Sequence, residues 1–184
     1  MIPSDELNPL ILSAFTKETT WLEASNQYSL DEFIETFFST RARTQELLEG
    51  LSDSQVAFAS EVHPFWTISE SITHLIHSQG FYLNTMLDIA TSQLPHVVEA
   101  ARGFGEGAKQ NIPAEQLRKN LQFATEQIHT AIEGTRNSHD PQKTQNNQFF
   151  GVCTYKTWVL LLLAHEVDHV RQIAAMRSVA RMNA

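Results

Sequence analysis

The chain has 184 residues, of which 42% are hydrophobic, with only seven glycines and six prolines. This length is enough for one domain with a real core, and the scarcity of turn residues favours long helices over many short strands. With 13 Lys and Arg against 21 Asp and Glu, the formal net charge is −8. Because the basic residues form no patch or stripe, we do not expect a nucleic acid as the partner.

The chain has a single cysteine, Cys153, so an intramolecular disulfide is excluded, which fits a reducing compartment. A lone cysteine is most often a small apolar filler. Residues 1–17 lack the basic start and apolar run of a secretory signal, and the apolar run at 158–164 is too short to span a membrane. We therefore expect a cytoplasmic protein without a membrane partner.

The first 28 residues have a mixed composition that predicts little regular structure. Residues 7–15 are compatible with a short helix, which would pack on the rest of the domain or on a partner subunit. We treat residues 1–28 as an N-terminal extension and residues 29–184 as the main domain.

Two capping boxes predict where the first long helices begin. Ser29 is followed three residues later by Glu32, and Thr67 by Glu70, in each case just before an apolar stripe. The first helix should end at Gly50, and residues 51–59 should form a short, partly helical connection. The stripe of the second helix fades near Gln93 and Pro95.

The remaining chain predicts two more helices. One begins near Pro113, a favourable first-turn residue, and stops at Gly134. Residues 135–150 are mostly polar and are predicted to be a loop. The last helix, over residues 154–180, is apolar on nearly all sides in its first half, which is typical of a helix buried within a bundle. The pattern predicts an all-α protein, a four-helix bundle.

The last helix carries the sharpest chemical pattern, His165-Glu-Val-Asp-His169. Residues four apart lie on one helical face, so two imidazoles so placed can bind one metal ion. The pattern also matches the motif of zinc proteases, but no histidine follows to complete such a site. The alternative is a pair of histidines without a ligand. Because both share a stripe with Trp158 and Leu161, where unpaired imidazoles are costly, the sequence favours a metal.

A third ligand should come from the second helix, which holds His74 and His77. The helical wheel does not decide between them. His74 lies nearly opposite the main apolar stripe, His77 lies somewhat closer to it, and a surface histidine is the alternative for either. Phe81 on the same side suggests some cover for this face.

Two segments resemble the DinB superfamily. Residues 66–75, WTISESITHL, are similar to the family's second helix, and residues 151–173, from Gly151 to Ile173, are similar to its fourth. The resemblance extends over residues 29–180 and implies a DinB/YfiT-like four-helix bundle. It also implies that His74, His165 and His169 bind one divalent ion, most often nickel or zinc. Asp168 stands where many members have a further histidine, and the N-terminal extension exceeds the usual start of the family.

Three neutral imidazoles would leave a divalent ion its full charge and at least one open position. Such an ion can activate water or hold a thiolate. The resemblance implies both uses, since some relatives are transferases or isomerases that use a low-molecular-weight thiol and others have been proposed as metal-dependent hydrolases. An anionic thiol would need basic groups beside the ion. Related bundles commonly pair, so the resemblance also implies a homodimer.

Three residues near the predicted ligands are candidates for a catalytic role. Glu70 lies one turn before His74, although its ordinary role would be to cap the helix. Gln172 and Asp168 could hydrogen-bond to a ligand, although Gln172 could equally be an ordinary polar residue of a bundle. Glu166 is expected to face away from the ion.

Two other functions are consistent with the sequence. A binding or sensor module would retain its ion without running a reaction, and bulky side chains such as Trp158 or Phe81 would block the site. A metal-free interaction protein would keep its histidines only as remnants.

Overall fold

The computed structural model describes residues 1–59, 66–90, 112–137 and 139–182, without the side chains of residues 84 and 87–90. The chain is mostly helical, as predicted. Its helices are α1 (Ser4–Phe15), α2 (Trp21–Ser25), α3 (Leu30–Leu48), α4 (Asp53–Val56), α5 (Ile68–Ala90), α6 (Ala114–Thr135) and α7 (Tyr155–Met182). Strands β1 (Thr144–Asn147) and β2 (Gly151–Thr154) form an antiparallel hairpin between α6 and α7. Within these residues no helix is long and apolar enough to cross a membrane.

Both predicted capping boxes are present and fix the starts of α3 and α5. The Ser29 hydroxyl accepts from the Glu32 N–H at 3.2 Å, and the Glu32 carboxylate accepts from the Ser29 N–H at 2.8 Å. Thr67 and Glu70 exchange the same pair of bonds at 3.1 and 2.7 Å. The predicted end of the second helix near Gln93 and Pro95 lies outside the described residues.

The hairpin corrects two predictions. Residues 135–150 were expected to be a loop, and the last helix was expected to begin at Thr154, with the family resemblance of its segment extending back to Gly151. The Thr154 hydroxyl instead accepts from the Thr157 N–H at 3.2 Å, so α7 begins at Tyr155. The side chain of Asn147 closes the turn of the hairpin, and Gly151 adopts a left-handed φ of 74° directly after it. Strand β1 has the sequence TQNN, which lacks the apolar alternation that reveals a strand.

The four long helices pack in a closed ring. Helix α3 contacts α7 and α6, and α5 contacts the same two helices from the other side. Helix α2 packs on α7 and β2, and α1 packs on α2. The N-terminal extension buries Ile2, Leu7, Ile11 and Trp21 in the same apolar cluster as the long helices. It therefore shares a core with residues 29–184.

The buried apolar side chains form two clusters, one towards each end of the helix ring. One includes Phe33 and Leu83, and the other includes Leu48 and Ile72. Between them lies a buried polar layer, defined as the side chains that surround the Arg41 and Glu166 ion pair: Arg41, Thr44, Gln79, Thr125 and Glu166. Each of the four long helices contributes at least one member to this layer.

The two charged side chains of the polar layer are completely removed from solvent and are directly paired. Arg41 and Glu166 are each 0% exposed, with Nε to Oε1 at 2.9 Å and Nη2 to Oε2 at 2.7 Å. The Glu166 carboxylate also accepts from the hydroxyl of Thr44 and, at 3.0 Å, from Gln79 Nε2. This two-bond geometry with further donors is the form in which a buried ion pair is tolerated.

We predict that Glu166→Ala destabilises the protein by about 3–5 kcal/mol, because Arg41 would stay buried without its counter-charge. Urea unfolding followed by circular dichroism measures the loss. The matched control is Glu115→Ala, which breaks an exposed ion pair with Lys119 on α6 and should cost less than about 1 kcal/mol. Equal losses in the two variants would contradict the role given to the buried pair.

Candidate metal centre

Three imidazoles from two helices converge on one point. His74 comes from α5, and His165 and His169 come from successive turns of α7. One ring nitrogen of each lies within 4.8 Å of the others. Nε2 of His165 and Nε2 of His74 are 3.3 Å apart. The three histidines could therefore hold one metal ion.

The structure distinguishes the two histidines of the second helix. His77 is exposed and lies outside the cluster. His74 is half-buried, and the ring of Trp66 meets it edge-on with centroids 4.7 Å apart. The face of α5 opposite its main apolar stripe is thus covered by α7 and Trp66. The helical wheel could not show this cover because it depends on how the helices pack.

The donor set fits a divalent transition metal. In a tetrahedral site with metal–nitrogen bonds of ~2.0–2.1 Å, neighbouring ligand nitrogens lie ~3.3–3.4 Å apart, which matches the His165 to His74 distance. The Nδ1 atoms of His165 and His169 are buried and have no hydrogen-bond partner among the described residues. An ion bound at Nε2 of His165 would leave Nδ1 of the same ring without a partner, so the fit to a metal rests on the distance between the two Nε2 atoms.

The surroundings keep the three imidazoles uncharged, which is the form that binds a metal. Burial, with the neighbouring histidines, lowers the pKa of His165 to about 3. The same two causes lower the pKa of His74 to about 4. Burial also lowers the pKa of His169, against the opposing effect of Asp168 and Glu166. At neutral pH all three rings therefore offer lone pairs.

As the sequence predicted, the side chain of Glu166 faces away from the histidines. Its carboxylate lies in the polar layer, bound to Arg41, Thr44 and Gln79. In the zinc-protease motif the equivalent glutamate acts as the general base beside the metal. The chain thus matches the sequence of that motif, but its glutamate is not placed to act as the general base.

The three other candidates have different positions. The Glu70 carboxylate is bound to the backbone N–H of Thr67, and Glu70 does not line the cavity beside the histidines. Asp168 and Gln172 both line that cavity, and Gln172 Nε2 donates to Asp168 Oδ2 at 2.9 Å. Of the three candidates, only Asp168 and Gln172 therefore lie where a ligand of the histidine cluster would bind.

An open cavity of about 590 Å³ adjoins the histidines. Neither Trp158 nor Phe81 lines it, so the blocked site expected for a sensor is not seen. None of the described residues that line it is a lysine or arginine. Sequence reasoning missed several of the lining side chains, and no local pattern marked them: Phe15, Tyr82, Phe150 and Ala164.

Cys153 is not placed for catalysis. Its side chain is 0% exposed, and burial raises the pKa of its thiol to about 11.

We predict that the thiol of Cys153 in the native protein reacts with a disulfide reagent at pH 8 roughly a hundredfold more slowly than in urea-unfolded protein, because the native thiolate is scarce and shielded. Absorbance of the released thiol measures both rates. Similar rates in the two states would show that the thiol is accessible.

Comparison with known proteins identifies the family of this chain. A family model described as the DinB superfamily matches residues 37–173, a range that contains all three histidines and begins after α1 and α2. No curated protein and no solved structure matches the chain. Because the matched range covers well over half of the sequence, the chain belongs to the DinB superfamily.

Proposed function

We propose that this protein is a divalent-metal-dependent enzyme of the hydrolase type, built as a DinB-type four-helix bundle. His74, His165 and His169 would hold zinc or nickel. The observation that carries the proposal is the convergence of three uncharged imidazoles on the wall of an open cavity of about 590 Å³. Family membership supports it independently.

The open cavity favours an enzyme over a metal-retaining sensor. Small-molecule sites usually have volumes of ~300–1,000 Å³, and this cavity lies within that range. An ion that serves only structure is normally enclosed by four protein ligands, whereas a catalytic ion keeps a position free. Here the described residues offer three ligands with space beside them.

A divalent ion with three neutral ligands supplies a Lewis acid that polarises a carbonyl or phosphoryl group and activates water. Among the described residues that line the cavity, Asp168 is the only carboxylate. It is therefore the best placed group to accept a proton from the attacking water. Gln172 is a positioning residue in this proposal, because its amide holds one carboxylate oxygen of Asp168.

The charges of the cavity favour hydrolysis over transfer of an anionic thiol. A thiol cofactor that carries carboxylates would need cationic groups, and the lining residues within the described part of the chain include neither lysine nor arginine. Asp168 would repel such a cofactor. A transferase reaction with an uncharged thiol is the second candidate, supported by the preference of zinc for thiolate ligands.

The first test is the metal content of untagged protein by mass spectrometry. We expect about one ion per chain in the wild type and loss of the ion in His165→Ala and His74→Ala. His77→Ala is the matched control, since it removes an exposed imidazole three residues away on the same helix and should keep its metal.

Two results would overturn the assignment. If His74→Ala keeps its ion, the third ligand is wrong. If the wild type takes up neither zinc nor nickel, the enzyme proposal fails, and a metal-free interaction protein becomes the better account.

The second test concerns Asp168. We expect Asp168→Asn to lower kcat for neutral esters or amides by about a hundredfold, because a general base typically contributes ~10²–10⁴-fold, while the metal content stays unchanged. Steady-state kinetics on the metal-loaded protein measures this. Glu46→Gln, which removes an exposed carboxylate from α3, should leave kcat as it was. An unchanged kcat in Asp168→Asn would remove Asp168 from the mechanism.

A further inference from the structure

One end of the cavity is walled by apolar side chains from four separate segments. Phe15 ends α1, Tyr82 lies on α5, Phe150 precedes β2, and Leu161 lies one turn before His165 on α7. We call these four residues the apolar wall. It adjoins the histidines directly, since the rings of Tyr82 and His165 have centroids 5.5 Å apart.

Two buried tryptophans support the wall from behind. Trp21 packs edge-on against Phe15 at 4.9 Å and against Phe150 at 6.1 Å between ring centroids. Trp158 packs against Phe150 at 5.9 Å and Tyr82 at 6.0 Å. Since Trp21 and Trp158 are only 5% and 0% exposed, the wall is anchored in the core rather than formed by loose surface rings.

Part of the apolar wall is an aromatic surface that is exposed to solvent. Phe15 is 57% exposed although it contacts Trp21, and Leu12, one turn earlier on α1, is 62% exposed but does not line the cavity. Asp168 lies on the other side of His165 along α7, about two helical turns after Leu161. A ligand that spans the site would thus have an uncharged apolar group at one end.

We propose that the apolar wall is a subsite for an aromatic or similarly bulky apolar group of a neutral substrate, held next to the group that reaches the histidines. This rests on the proposed function for its account of the histidines. It adds the substrate class. Three observations argue for it: the contact of Tyr82 with His165, the buried tryptophans behind the wall, and the lack of cationic side chains among the described lining residues.

Part of this subsite lies outside the family match. Phe15 and Trp21 precede residue 37, where the match begins. The N-terminal extension would therefore determine which substrates this chain accepts, without supplying any ligand of the ion.

The wall can be tested without a metal. We expect metal-free protein to bind one molecule of the neutral fluorophore N-phenyl-1-naphthylamine with enhanced emission, and Phe15→Ala to weaken this binding by about tenfold, because one aromatic face is lost. Leu12→Ala is the matched control from the same helix and should bind like the wild type. Equal affinities in the two variants, or no binding by the wild type, would overturn the subsite.

A second measurement links the wall to the histidines. Acetohydroxamate and benzohydroxamate share one metal-binding group, and only the second carries a ring. In zinc-loaded protein of measured metal content, calorimetry should show benzohydroxamate binding at least about tenfold more tightly, with the difference reduced in Phe15→Ala and retained in Leu12→Ala.

The outcomes separate the two proposals. If the protein fails to load zinc but still binds the fluorophore through Phe15, the proposed function fails and the apolar subsite stands. If zinc loads and both hydroxamates bind equally, the metal centre stands and the aromatic specificity is wrong.

Discussion

The buried pair of Arg41 and Glu166 is the constraint on which the arrangement of this protein depends. Its polar layer separates the two apolar clusters and includes a side chain from each long helix. If α7 slid by one turn, Glu166 would lose Arg41, Thr44 and Gln79 and would be buried as an unpaired charge. A buried polar group of this kind can fix the register of packed helices more strongly than apolar contacts, which tolerate sliding. The Gln79 to Glu166 bond joins the two helices that bear the histidines, so the polar layer also aligns the three imidazoles that could hold a metal.

The pattern His-Glu-x-x-His thus serves two purposes on one helix. Glu166 faces the core and orients α7, while His165 and His169 face the cavity. The residues are close in sequence, yet they belong to different environments because each step along a helix rotates the side chain by ~100°. The short motif therefore predicted two histidines of the cluster, whereas the place of Glu166 followed only when the rest of the helix was considered.

Local sequence patterns predicted most of the helices. They did not predict the hairpin or the lining of the cavity. The capping boxes at Ser29 and Thr67 are formed by residues three apart, so the sequence contains the whole interaction. The hairpin was missed because TQNN carries no strand pattern, and Phe15 was missed because its place in the cavity depends on contacts with residues far along the chain. The choice of His74 over His77 came from the family resemblance, since the cover over His74 is provided by another helix.

Half of the apolar wall comes from segments that hold no histidine of the cluster. The three imidazoles lie on α5 and α7, as do Tyr82 and Leu161, whereas Phe15 and Phe150 come from α1 and from the turn of the hairpin. Substitutions at sites with few shared contacts usually have additive effects. The cavity can therefore change its shape through drift in α1 and the hairpin while the histidine cluster and the polar layer stay fixed. In evolutionary terms, such an arrangement lets one inherited centre be adapted to new small molecules at little risk to folding.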